Sequence, residues 1–266
     1  MKLVRQLRKY AVIARVSFSN AIAYRSALFT RFAFYTLFIY IFMRLWGAIY
    51  REGGVGGYSY VQIVWYLIMT EGIAFACGSD VFGAMNADVK SGSIAYQLGR
   101  PTHYVVMQLA SSLGQVILNT MLFGALAVTL GLMFVGPLPG FGIGAIPALA
   151  LSIALSFIQN YFTLMTLGLS SFVIEDNTAL YLIYQKLNFM LGMFLPVEFL
   201  PDALRRAALN MPFSYVYWAP AKLFVGYTPE LFRQLIPRQA GWAALAGALA
   251  FTAYGAGARR IQANGG

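Results

Sequence analysis

Long apolar runs decide what this chain can become. Read in windows of roughly 19 residues, it holds about six stretches apolar enough to cross a bilayer, centred near Ile39, Ile68, Phe123, Leu155, Phe189 and Ala248. Outside them no stretch is long enough to build a separate core. Residues 1–266 therefore read as one polytopic domain, an all-α integral membrane protein with six transmembrane helices. The charged share agrees: 11% of residues, where a soluble domain carries about 25%.

The start of the chain does not read as a cleavable signal, because Arg15 and Arg25 interrupt the apolar stretch a signal needs. Cys77 is the single cysteine, which leaves no internal disulfide and suits a small packed hydrophobe. The net charge of +10 is distributed as a topology signal and does not point to nucleic acid. Lys2, Arg5, Arg8, Lys9, Arg15 and Arg25 precede the first run, Lys90 and Arg100 separate the second from the third, and Arg259 and Arg260 follow the last. The positive-inside bias puts both termini in the cytoplasm. At about 100° per residue, Leu3, Leu7, Tyr10 and Ala14 share one helical face and Lys2, Arg5, Arg8, Lys9 and Arg15 the other. The pattern predicts an amphipathic helix lying on anionic lipid.

The spans are expected over about Ala27–Ile49, Tyr58–Ser79, a third beginning after His103 and reaching Val135, a fourth ending near Val173, a fifth ending near Leu195, and Gly241–Ala258. At the turn IEDNTA, Asp176 or Asn177 can cap the fifth span. Pro196 and Pro201 stop that helix, and a short helix DALRRAALNM follows with Leu204, Ala208 and Met211 on one face. The aromatic run PFSYVYWAP after it is the kind found at a membrane boundary.

Between the second and third spans lies the polar insert KSGSIAYQLGRP. Ser93 can start a helix, IAYQL makes little more than a turn, Gly99 suits a left-handed stop, and Pro101 prevents continuation. So short a helix is marginal unless it packs on something. Ile94 and Leu98 can face the membrane body, leaving Tyr96 and Gln97 for a partner. The alternative is a plain chain reversal.

GSIAYQLGRP resembles the G-x-I-x-x-x-L-x-R-P signature of permease subunits of ATP-binding-cassette transporters, type-2 exporter class. The run from FVIEDNTA to YVYWAP is similar to that family's acidic turn, span, Pro-x-x-x-x-Pro and short outer helix, and ARRIQANGG resembles its Arg-rich tail. The resemblance covers essentially the whole chain. It implies a cytoplasmic connecting helix over 1–26, a six-span bundle over 27–261 and a cytoplasmic tail over 262–266. It implies that Gly92, Ser93, Ile94, Ala95, Tyr96, Gln97, Leu98, Arg100 and Pro101 form the coupling helix seated in a separate ATPase subunit. Glu175 and Asp176 become a minor inner contact, and the segment through Pro196, Pro201 and Pro212 supplies outer re-entrant helices. It also implies a second permease chain, ATP and Mg on the partner ATPase, and a bacterial plasma membrane.

The chain lacks the Gly-x-x-x-x-Gly-Lys-Ser/Thr loop that cradles phosphates, so the energy is expected to come from another polypeptide. Glu71 lies inside the second span and Lys186 inside the fifth, and an ionisable group in hydrocarbon costs a few kcal/mol or more. Glu71 either faces the translocation path or pairs with a polar group. One histidine and scattered carboxylates do not make the cluster a lipid-modifying enzyme needs, while a carrier or channel would work without an ATPase. The apolar spans suit a drug, lipid or glycolipid as cargo.

Overall fold

The computed structural model describes residues 2–23, 26–53, 57–78, 80–98, 102–174 and 176–264. They are helical almost throughout, with no strand among them. The helices are α1 (Lys2–Ala23), α2 (Ser26–Arg51), α3 (Tyr60–Cys77), α4 (Val81–Lys90), α5 (Ser93–Leu98), α6 (Tyr104–Phe134), α7 (Ile146–Leu169), α8 (Thr178–Asn188), α9 (Asp202–Leu209), α10 (Phe213–Val225) and α11 (Pro229–Asn264).

Four helical stretches among the described residues are long and apolar enough to cross a membrane: Leu28–Arg51, Tyr60–Lys90, Tyr104–Phe134 and Ile143–Phe172. They cover the first four expected spans, the second running on past the expected end to Lys90. In the fifth region α8 runs for 11 residues and passes into a π-helical turn at Phe189–Met193, short of a full crossing by length alone. α11 is long enough, but Ala and Gly dominate its middle and it does not reach the same hydropathy.

Within the second stretch α3 matches the expected Tyr58–Ser79 to two residues at each end, and a further helix follows it. α3 ends at Cys77, and Asp80 restarts the chain by accepting from the Gly83 N–H at 3.2 Å, so a separate helix, α4, precedes the polar insert. α4 rests on α7, where a Cβ on Gly168 would come within 2.7 Å of Met85.

Close backbone approach at glycines sets the rest of the packing, as expected where lipid offers helices no hydrophobic reason to associate. The Trp65 ring of α3 lies over Gly131 of α6, and its Nε1 donates to the Gly136 carbonyl at 3.0 Å. α1 runs along the first half of α6, with Gly114 against the Ala14 carbonyl, and the Tyr10 hydroxyl accepts from the His103 N–H at 3.2 Å. This corrects the expectation that the apolar face of α1 meets lipid: Tyr10 and Ala14 face α6, while Leu7 is 61% exposed. Two apolar cores result. One gathers Tyr35, Ile39, Tyr66, Phe123 and Trp218, the other Met85, Tyr104, Tyr161 and Met165.

The aromatic run expected at a membrane boundary forms a packed helix. As α10 it buries Tyr215, Val216 and Trp218. Gln239 of α11 pins it, donating from Nε2 to the Ser152 carbonyl at 2.9 Å, Ser156 Oγ at 2.9 Å and the Tyr215 carbonyl at 3.0 Å. Gln159 donates to the Pro212 carbonyl at 2.6 Å. At 1.5 Å per residue, Ser152 and Gln159 lie about 9 and 20 Å along α7 from Ile146, so the joint between α9 and α10 is held beside the middle of α7. α9 does not bury the expected face: Ala208 is buried, but Leu204 and Met211 are exposed. The reason is that α10 meets only its last turn, where Ser214 Oγ donates to the Ala208 carbonyl at 2.6 Å.

Candidate functional site

The polar insert folds as the six-residue helix α5. Gly92 enters it with φ +73°, a conformation that suits glycine and that proline cannot adopt. Ser93 does not cap its own helix as expected; Ser91 Oγ accepts from the Ser93 N–H at 3.4 Å. The Ser93 hydroxyl points backwards and donates to Asp88 Oδ1 at 2.7 Å. The other carboxylate oxygen, Asp88 Oδ2, accepts from the Tyr104 hydroxyl at 2.6 Å, and Gln108 Nε2 donates to that hydroxyl at 3.0 Å. One carboxylate of α4 thereby ties the first residue of α5 to the first residue of α6.

Within α5, Ile94 is buried as its place in the pattern predicts, Ala95 is exposed, and Tyr96 is 73% exposed. Gln97 is half-buried, and its Oε1 lacks a partner among the described residues. Arg100 and Pro101, with Gly99 and the Leu98 side chain, lie outside the described residues. The C-terminal part of α11 leans on the same corner. His103 packs on Phe251 and Tyr254, with ring centroids 5.3 and 4.9 Å apart, and Tyr104 stacks on Tyr254 at 6.1 Å. Partial burial holds the His103 imidazole below its ordinary 6.5.

Of the second turn, Glu175 lies outside the described residues. Asp176 is exposed and its Oδ1 accepts from the Thr178 N–H at 3.0 Å, starting α8. Those bonds to Thr178 hold its carboxyl below the usual range. Asn177, the other expected cap, instead closes α7: its Nδ2 donates to the Leu167 carbonyl at 2.7 Å and Ser170 Oγ at 3.2 Å.

Glu71 is 4% exposed, and no ion pair to it forms among the described residues. It lies within electrostatic reach of the Tyr35 and Tyr217 hydroxyls. Pro196 and Pro201 bracket a short 3-10 turn, Val197–Phe199, and Pro212 precedes α10. Glu198 in that turn joins Lys222 at 2.8 Å and accepts from Trp218 Nε1 at 3.1 Å. Neither Asp88 nor Gln239 was singled out as a site from the sequence. An acidic residue five before the first serine of a short helix is the only trace Asp88 leaves there.

The family profile described as ABC-2 family transporter protein matches residues 32–265. The chain belongs to the ABC-2 transporter family. The match leaves α1 outside it and takes in α5, the Asp88 clamp, α8, the Pro196–Pro212 segment and α11. No curated protein matches the chain. As a member of this family the molecule is a membrane protein and a transporter permease, and permeases of this family generally pair with an ATPase subunit. Around α5, a short helix is tied at its start to both helices that flank it.

Proposed function

We propose that this permease is the membrane subunit of an ATP-driven exporter, working as a homo- or heterodimer with two copies of a separate ATPase. In this reading α8 with its π turn and α11 are the fifth and sixth spans, both termini are cytoplasmic in a bacterial plasma membrane, and α1 is the connecting helix. α5 is the coupling helix, with Gly92 to Pro101 in the ATPase cleft and Glu175 and Asp176 beside it. The Pro196–Pro212 segment and α10 form the outer re-entrant part. ATP and Mg bind the partner, and the cargo is a hydrophobic or amphipathic drug, lipid or glycolipid.

The observation that carries the reading is the clamp on α5 within a chain of this family. Movement imposed on the exposed face of α5 is passed through Ser93, Asp88 and Tyr104 to α4 and α6 together, the kind of rigid linkage a two-state transporter needs. The test reconstitutes the permease with its ATPase and compares Tyr96→Ala and Gly92→Pro with the parent. Both variants should hydrolyse ATP while moving less cargo per ATP. Normal coupling in both, or ion-driven transport by this chain alone in liposomes, overturns the proposal.

A further inference from the structure

One cavity in the bundle is not accounted for by the coupling machinery. It has a volume of about 330 Å³ and lies among α3, α7, α8 and α10, at the lower end of small-molecule sites. Most of its lining polar groups come from α7 and α8: Asn160, Tyr181, Tyr184, Lys186 and Asn188, with Tyr217 of α10. A hydrophobic protein that spends this many polar side chains on one void is not filling space, since each costs free energy in hydrocarbon unless it finds a partner.

Their hydrogen bonding is incomplete in one place. The Tyr184 hydroxyl donates to Asn160 Oδ1 at 2.8 Å, which accounts for that pair. Asn188 is 4% exposed, yet its Oδ1 has no partner among the described residues. The charge is also unbalanced. Among the described residues Lys186 is the one cation on the lining, and no acidic side chain joins it there. The lysine is exposed on α8 and joins no ion pair among the described residues. Apolar side chains, Leu164, Phe189 and Met193, complete the wall.

We propose that this cavity binds the head group of an amphipathic anion, a singly protonated phosphate monoester carrying an alkyl tail. Lys186 supplies the charge-assisted hydrogen bond to a phosphate oxygen, the phosphate's own hydroxyl donates to Asn188 Oδ1, the Asn160 Nδ2 group donates to a remaining oxygen, and Phe189 and Met193 meet the start of the tail. The proposal rests on the exporter reading only for what becomes of the ligand after it binds.

The experiment uses the full permease in phosphatidylcholine nanodiscs and measures equilibrium binding of radiolabelled dodecyl phosphate. Binding should be saturable, competed weakly by inorganic phosphate and not by dodecanol. Lys186→Gln should weaken it by roughly tenfold or more, the worth of a hydrogen bond to a charged group, and Lys186→Arg should retain most of it. Asn188→Leu should weaken it less. Unchanged binding in Lys186→Gln, with Lys186→Arg and the parent eluting and melting alike, overturns the proposal. So does full competition by inorganic phosphate or by dodecanol. ATP hydrolysis by the permease with its ATPase is read in parallel. Lysine-dependent binding together with normal coupling in both Tyr96→Ala and Gly92→Pro would sink the exporter reading and leave the site standing, while coupled transport of another cargo without dodecyl phosphate binding does the reverse.

Discussion

At the scale of single residues, Asp88 is the side chain on which the coupling corner depends. Both its oxygens are engaged, at 2.7 and 2.6 Å, with groups on two different helices. Asp88→Ala should lower cargo moved per ATP severalfold while leaving ATPase association intact, measured as transported substrate against phosphate released; Tyr104→Phe, which cuts one of the two arms, should give a smaller loss. His103 gives the corner a pH dependence whose sign follows from its environment. Its folded value is depressed, so above the ordinary 6.5 folded and unfolded chains are both neutral there and pH has no effect. Below 6.5 the unfolded chain takes the proton first, so stability falls as the medium acidifies. The melting midpoint in detergent should therefore drop more between pH 7.5 and 5.5 in the parent than in His103→Phe.

Among the elements, the polar contacts inside the bundle set where α10 and α1 lie. Gln239 shares its two amide hydrogens among three acceptors and accepts from Ser152 Oγ at 2.8 Å. At about 0.6 kcal/mol for an average hydrogen bond within a membrane bundle, Gln239→Leu should cost ~2 kcal/mol, read from unfolding in mixed micelles. The close approach of α1 to α6 has a sharper test. A Cβ on Gly114 faces backbone atoms of Ala14 and Phe18, which cannot rotate away. Gly114→Leu should lift α1 off α6 and make Arg15 an early site of limited trypsin digestion. Unchanged digestion would show that α1 is held by other contacts. None of these pairings was legible beforehand, because periodicity reports which face of a helix is apolar but not which neighbour covers it. Thus the face of Tyr10 and Ala14 was visible, and its burial against α6 was not.

For the whole molecule, the number and direction of crossings are open to a direct test. Cys77 is buried and leaves little background for labelling. In intact cells an impermeant maleimide should label Thr228→Cys from outside, and should reach Asp176→Cys only after lysis. Labelling of both, or of neither, would contradict six crossings with cytoplasmic termini.

What the sequence determined by itself is the all-helical membrane class, the first four spans to within a few residues, and the polar insert as a short helix with Ile94 turned inward. Those follow from transfer free energy and turn chemistry, which act over a few neighbouring residues. Tertiary structure alone decided that the apolar aromatic run around Trp218 packs inside the bundle, that Asn177 closes the helix before it and not the one after, and that Asp88 is a clamp. Each of these depends on which polar group lies within hydrogen-bond reach once the helices are assembled. In a bundle short of water such partners settle the position of a side chain, and some of them lie far along the chain, as Gln239 does from Ser152.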